Sequence, residues 1–178
     1  MRETSNEVFY IDEEIVQVGH SAIDVLKDRV GATTRGRVRI CAHRDVNDPL
    51  HEMFILLTKE SYIRPHLHLG KAESLYVVEG MVDVVFFDKA GQLTNVMQLG
   101  DYLTGRQFYY RLNVAEYHTI EVVSDFVVIH EVTQGPFRTT DNVPADWAPD
   151  EGDYQGILGF RDRLRESVAG FIKKQVPK

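Results

Sequence analysis

Arg64-Pro65-His66-Leu67-His68-Leu69-Gly70-Lys71-Ala72-Glu73-Ser74-Leu75-Tyr76-Val77-Val78-Glu79-Gly80 is the stretch on which the fold turns. In a β-strand successive side chains point to opposite faces, so His66 and His68 share one. The short Leu69–Ala72 turn can return Glu73 to the same space on the next strand. Two imidazole nitrogens and one carboxylate oxygen suit a divalent transition metal with open coordination positions.

Working outward, the region from about Arg35 to Val132 reads as strands. The runs are Arg37–Ala42, Met53–Leu57, Tyr62–His68, Leu75–Val78, Val82–Phe87, Leu93–Leu99, Phe108–Leu112, His118–Val123 and Phe126–Val132. Each is short, rich in β-branched and aromatic residues, and bounded by turn formers; Lys89-Ala90-Gly91, Gly100-Asp101 and Ser124-Asp125 signal turns. Many short strands argue for a sandwich or barrel. Before them, Asp12 to Val30 has helical character: Asp12 as cap, Glu13 and Glu14 in the first turn, Gly31 at the end, and Ile15, Val18, Ala22, Val25, Leu26 and Val30 as the apolar face. After them, Gly135-Pro136, Pro144 and Pro149 mark an irregular wrap. Ile157, Phe160, Leu164, Val168 and Phe171 then recur at helical intervals, with Arg161, Arg163, Arg165 and Lys173 on the other faces. The organisation expected is an N-terminal helical segment over residues 1–34, a β domain over 35–137, and a wrap with an amphipathic helix over 138–178, all in one domain. The last helix either docks on the domain or forms a homodimer contact.

Composition narrows the class. The chain has 178 residues, 43% hydrophobic and 26% charged, with a net charge of −7. That is one ordinary globular domain, and its acidity argues against a nucleic-acid surface. The lone Cys41 cannot form an intramolecular disulfide and sits at a buried strand position. No apolar run approaches the roughly 20 residues of a membrane span, and the N-terminus lacks the apolar core of a signal peptide. The expected location is the cytoplasm, without a membrane or nucleic-acid partner.

A fourth ligand should come from a later strand, and His118, which opens one, is the candidate. Its strand would continue inward through Ile120 and Val122. Three neutral imidazoles and one carboxylate on a divalent ion leave a net charge near +1, and an octahedral ion keeps two positions for water or substrate. The spacing His66-x-His68-(x4)-Glu73-(x6)-Gly80 resembles the first metal-binding motif of cupins, and Gly100-Asp101 to His118 resembles their second. Two departures stand out: Glu60 where the first motif opens with Gly, and Arg111-Leu112-Asn113 where the second has Pro-x-Gly. A narrower resemblance, over roughly residues 35–155, is to WbuC-type cupin-fold metalloproteins. It is carried by Arg37–His43, Met53-Phe54-Ile55, Ser61–His68, Glu131–Phe137 and Trp147–Asp153. The resemblance implies an all-β, double-stranded β-helix (jelly-roll) barrel with flanking helices. It also implies a bound metal at His66, His68, Glu73 and His118, and an association with bacterial surface-polysaccharide gene clusters.

Parity extends the site. If His66 and His68 point inward, so do Arg64 and Tyr62. Arg64 would then either form a structural ion pair, with Glu79 or Glu131, or clamp a substrate carboxylate or phosphate. Arg35, Arg37 and Arg39 share a strand face opposite Val38 and Ile40, as solvated charge or as the mouth of an anion pocket. His43 lies on that face if the strand is unbroken, as a candidate proton-transfer group. Of the neighbours His130 and Glu131, Glu131 is the one expected inward. His20 and His51 are expected to face solvent. Tyr109, Tyr110 and Tyr117 are expected in core packing or oligomer contacts, or at the mouth.

Three functions fit these residues. In the first, an iron, manganese, nickel or zinc ion acts as a Lewis acid on a sugar or sugar nucleotide in an isomerisation or epimerisation, with His43 or Glu131 moving protons and Arg64, Tyr62, Arg37 and Arg39 holding substrate. The second is an iron-dependent dioxygenase of a small molecule. The third is a non-catalytic domain that binds a small anionic or polyhydroxy ligand and reports it through a homodimer.

Overall fold

The computed structural model describes residues 1–175. Its chain order is β1 (Arg2–Ser5), β2 (Val8–Tyr10), α1 (His20–Val30), β3 (Arg37–Cys41), β4 (Leu50–Thr58), β5 (His66–His68), β6 (Glu73–Phe87), β7 (Leu93–Gly100), β8 (Tyr109–Leu112), β9 (Tyr117–Gln134), β10 (Asn142–Pro144) and α2 (Tyr154–Gln175).

The backbone of the architecture is a ribbon of two long antiparallel strands, β6 and β9. The N-terminal half of β6 and the C-terminal half of β9 carry β8 on one side and β4, β3, β2 and β1 on the other. The remaining halves carry β7 on one side and β5, then β10, on the other. Apolar residues from both halves pack in one cluster: Leu75, Val77, Val82, Val84 and Phe86 of β6 with Val122, Val127 and Ile129 of β9. Leu57 of β4, Leu99 of β7, and Tyr110 and Leu112 of β8 join the same cluster, so these five strands share one interior. Among the described residues no ladder closes the sheet, so the expected barrel is an open sheet.

The helices cover the outer faces. Ile23 and Leu26 of α1 pack on Val38, Ile40, Leu56 and Val128. Leu164 and Val168 of α2 pack on Val85, Phe87 and Val96. Arg161, expected on a face other than the apolar one, is buried; its guanidinium donates to the Lys59 carbonyl and to Glu60.

Several expectations are corrected. Helix α1 begins at His20, because Asp12 is engaged by the Arg2 guanidinium and Gly19 stands at the cap position. Ile15 is outside the helix and 79% exposed. Within residues 1–34 the chain also forms β1 and β2, the latter running parallel to β3. The expected strands at Leu75–Val78 and Val82–Phe87 are one strand, as are those at His118–Val123 and Phe126–Val132; Gly80 and Ser124-Asp125 mark bulges between their halves. Gly80 has φ +89°, and a Cβ there would lie 2.5 Å from the Phe126 carbonyl oxygen and 2.8 Å from Ser124 Oγ. Only a residue without a side chain fits. Finally, the run Tyr62–His68 is a strand only over His66–His68. Pro65 has no N–H to donate, and the Ile63 carbonyl is taken by the Thr119 hydroxyl.

Candidate metal centre

Three strands deliver the four side chains. His66 and His68 sit on β5, Glu73 opens β6, and His118 lies on β9 in register with His66. Glu73 returns through a turn with Gly70 at φ +68°. That turn is pinned where Ala72 N–H donates to the Gln134 side chain at 2.9 Å and Leu69 N–H to the Asp141 carbonyl at 2.8 Å. Edge strand β10 pairs with β5 and fixes the other side of His66 and His68.

One ligand atom from each of His66, His68, Glu73 and His118 lies within 4.8 Å of the others. Around an ion with bonds of about 2.1 Å, ligand atoms lie roughly 3 to 4.2 Å apart, so side-chain shifts of about half an ångström suffice. The hydrogen bonds behind the cluster suit the same purpose. His66 Nδ1 meets the Arg64 carbonyl at 2.9 Å and His118 Nδ1 meets the Glu116 carbonyl at 3.0 Å. Each carbonyl accepts the Nδ1 proton and leaves Nε2 unprotonated as the ligand atom. Tyr110, buried, donates its hydroxyl to Glu73 Oε1 at 2.7 Å, and His68 Nε2 lies 2.8 Å from Glu73 Oε2. A buried carboxylate with three convergent imidazoles fits a divalent cation in donor type and in charge.

The charges within the cluster act strongly on one another. Burial pulls the His66 imidazole down to about 4, helped by the neighbouring His118. Burial opposes the charges on Glu73 and His118 as well, but their mutual attraction wins: Glu73 is held well below the usual carboxylate range and His118 is raised. Burial, then the Glu73 carboxylate, keeps the Tyr110 phenol protonated and donating.

The cluster opens into a cavity of about 800 Å³. Glu131 lines it, while His130 stacks on Phe54 with ring centroids 4.6 Å apart and faces Glu52. Burial, then the Glu73 charge, pushes the Glu131 carboxyl up to about 8. His43 also lines the cavity, just past the end of β3. Its Nδ1 lies 3.2 Å from the Glu52 N–H and 3.1 Å from the Glu52 carbonyl, and burial lowers its pKa. His51, expected at the surface, is 5% exposed on β4 and stacks on His43 at 4.1 Å.

The arginines divide. Arg37 and Arg39 both line the cavity. Arg37 donates to Glu151 at 3.1 Å, whereas Arg39 has no ion pair among the described residues. Arg64 donates to the Ala145 carbonyl at 2.8 Å and pairs with Asp150, rather than with Glu79 or Glu131. Glu79 is taken by Lys27. Tyr62 points away from the cavity: its hydroxyl donates to the Pro149 carbonyl at 2.8 Å and its ring packs edge-on against Phe160. Parity fails for Tyr62 because residues 61–65 are not in a strand. Together Tyr62 and Arg64 tie the 145–150 strap to the cavity rim. Tyr110 is the site residue that the sequence did not single out. Its partner Glu73 lies two residues from it in register, on a neighbouring strand, where Leu75 pairs with Tyr110.

Residues 18–99, less than half of the 178-residue chain, match a family described as a domain of unknown function (DUF6016). No curated protein matches. Among solved structures, the chain is similar to protein SO0799 from Shewanella oneidensis at 18% identity, over 58% of this chain and 66% of that one, with a TM-score of 0.46. It is similar to a variant of Bacillus subtilis oxalate decarboxylase at 18% identity, over 54% of this chain and 24% of that one, with a TM-score of 0.44. It is also similar to procruciferin, an 11S globulin from Brassica napus, at 12% identity, over 49% and 21%, with a TM-score of 0.41. The chain therefore spans about a quarter or less of the length of the last two.

Proposed function

We propose that this chain is a mononuclear metal-binding cupin in which His66, His68, Glu73 and His118 hold one divalent iron, manganese, nickel or zinc ion. The observation that carries the reading is the convergence of those four side chains, with carbonyl-fixed tautomers at His66 and His118, at the end of a large cavity. When bound, the ion supplies a Lewis-acid centre for a substrate oxygen. The protein's own residues supply the rest. Tyr110 holds Glu73 in its ligating orientation. Glu131 and His43, on the cavity wall, are the groups placed to give or take a proton. Arg39, which has no ion pair among the described residues, favours an anionic or polyhydroxy ligand, with Arg37 beside it sharing Glu151 with Arg35, in keeping with a sugar or sugar nucleotide of surface-polysaccharide metabolism. Arg64 and Tyr62 act through the strap they anchor.

The expected homodimer is better placed at β8 than at α2. Strand β8 pairs only with β6, so its other edge is unpaired among the described residues. Beside it lie exposed apolar side chains: Tyr102 at 75%, Leu103 at 94%, Phe108 at 39% and Tyr109 at 49%. An edge strand flanked by such a patch favours pairing with a second copy. Sedimentation velocity should give a dimer that Leu103→Asp weakens; a monomer at high micromolar concentration would remove this reading.

The metal reading is tested by elemental analysis of protein purified without an affinity tag. About one divalent ion per chain is expected, and none in the His66→Ala/His68→Ala variant. Full metal content in that variant would sink the ligand assignment. Calorimetry of the metal-loaded protein with sugar nucleotides tests the substrate class.

A further inference from the structure

The cations around the cavity are mostly spent. Arg35 pairs with Glu7 and Glu151, Arg37 with Glu151, Arg64 with Asp150, and Lys71 with Asp141. Arg138 also lines the cavity without an ion pair among the described residues, but it stands in the segment beside Asp141; Arg39, on β3, is exposed, lines the cavity, and has no carboxylate partner among the described residues. Its positive charge is felt by Glu131, Cys41 and His43 on the same wall.

Register shows how far Arg39 stands from the metal ligands. Arg39 pairs with Ile55, Ile55 with Ile129, and Ile129 with Val77. Glu73 is four residues before Val77 on β6. Three strand spacings of about 4.8 Å and four residues of about 3.4 Å put the Arg39 and Glu73 Cα atoms roughly 20 Å apart. Extended arginine and glutamate side chains close about half of that, leaving on the order of 8–10 Å between guanidinium and carboxylate. Met53, Ile55 and Ile129 form the floor between them, and all three line the cavity. A two- or three-carbon acid bound at the metal cannot reach Arg39.

Building on the metal reading above, we propose that the ligand of this cavity is an elongated molecule. One end carries oxygen donors for the metal centre, and a terminal carboxylate or phosphate is bound by Arg39 across an apolar floor. A guanidinium matches either anion with two parallel hydrogen bonds.

A molecular ruler tests this. Succinate, adipate, suberate and sebacate are titrated into the zinc-loaded protein by calorimetry, alongside phosphonate-terminated acids of the same lengths. Affinity should climb to the longer members, and the tighter of the two series identifies the anionic group. Arg39→Gln should weaken the longest members at least tenfold and flatten the length dependence, with zinc content unchanged. Arg138→Gln, at another cavity arginine, should leave the series unaltered. Length-independent affinity, an unaffected Arg39→Gln variant, or an equal loss in Arg138→Gln would overturn the proposal. Octanoate binding to metal-free protein reads the Arg39 end alone and should be lost in Arg39→Gln; its persistence there would also overturn it. If the wild type binds no zinc while octanoate still depends on Arg39, the metal reading fails and the anion subsite stands without its second anchor.

Discussion

Tyr110→Phe deletes one oxygen and leaves the ring, so it isolates a single interaction behind the metal centre. In the wild type the phenol donates to Glu73 Oε1 at 2.7 Å, and both residues are 5% exposed. Water is therefore poorly placed to replace the lost donor. A hydrogen bond to a charged acceptor contributes about 1.5–3 kcal/mol. Glu73 keeps His68 as its other partner at 2.8 Å, so the carboxylate stays in place but its charge is less well stabilised. At about 1.4 kcal/mol per tenfold, that loss sets a ceiling of roughly 10- to 150-fold in affinity, since part of the bond's value is already present before an ion binds. Partners that orient a metal ligand commonly contribute about 10- to 100-fold. The measurement is competition for zinc against a chromophoric chelator at neutral pH. Circular dichroism would check that the fold is retained. Stoichiometry should stay at one ion per chain while the dissociation constant rises at least tenfold. Tyr109→Phe, on the neighbouring and 49% exposed ring, should change nothing. A shift below threefold in a well-folded Tyr110→Phe protein would refute the idea that this bond positions Glu73.

Three further outcomes are expected. Gly80→Ala forces φ +89° on a residue with a Cβ and drives that atom against the Phe126 carbonyl; stability should fall by about 2–3 kcal/mol, read as a drop of roughly 5–10 °C in Tm. His43 has its pKa lowered by burial, so as pH falls through about 6.5 the unfolded chain takes up a proton that the folded chain refuses, and stability declines. In metal-free protein, His43→Gln should flatten that decline by up to about 1.4 kcal/mol per pH unit in urea titrations between pH 6 and 5; an unchanged slope would show that His43 titrates normally. Arg161→Ala should cost about 1–2 kcal/mol through lost packing and the lost bond to the Lys59 carbonyl, and added salt should not mimic it, because the partner Glu60 is 76% exposed; denaturation at low and high salt reads both.

Three of the four clustered side chains were legible because their signal is local: a His-x-His pair on one strand face, a short turn, and a carboxylate; His118, far down the chain, was expected only as a histidine opening a later strand. The strand content was legible for the same reason, since β-branched runs and turn formers report on their own neighbourhood. What the sequence hid was non-local. Tyr110 reads as one aromatic among several until register sets it near Glu73. His51 reads as a loop residue until β4 pairs with β9 and buries it beneath His43. Tyr62 was assigned inward by counting back from His66 in steps of two, a count that fails because Pro65 ends the strand. Arg161 looks solvated on a helical wheel, but the wheel does not show the Lys59 carbonyl waiting on the surface where α2 docks.

The bulges show most clearly how fold and site depend on each other. Along β6 the inward residues are Glu73, Leu75 and Val77, all at odd positions; past Gly80 they are Val82, Val84 and Phe86, all even. Strict alternation from Glu73 would instead turn Asp83 into the interior, whereas it is buried on the opposite face of the sheet, 3.7 Å from Arg106. The partner strand makes the matching change. On β9, Val127, Ile129 and Glu131 face inward, and so do His118, Ile120 and Val122, with Ser124 and Asp125 between the two sets. Uninterrupted pairing would reverse one set, because a one-residue slip exchanges the faces of a strand. Glu131 could then line the cavity only if His118 pointed out toward α2, where Glu121 now meets Arg165. The bulge therefore brings Glu73 and His118, which lie on different halves of the ribbon, to one point. Ser124 locks it by accepting the Met81 N–H at 2.9 Å and donating to the Phe126 carbonyl, across the space that a side chain at Gly80 would fill. Gly80 and Ser124 touch no ligand, yet the ligand set exists only because they shift the register between its members.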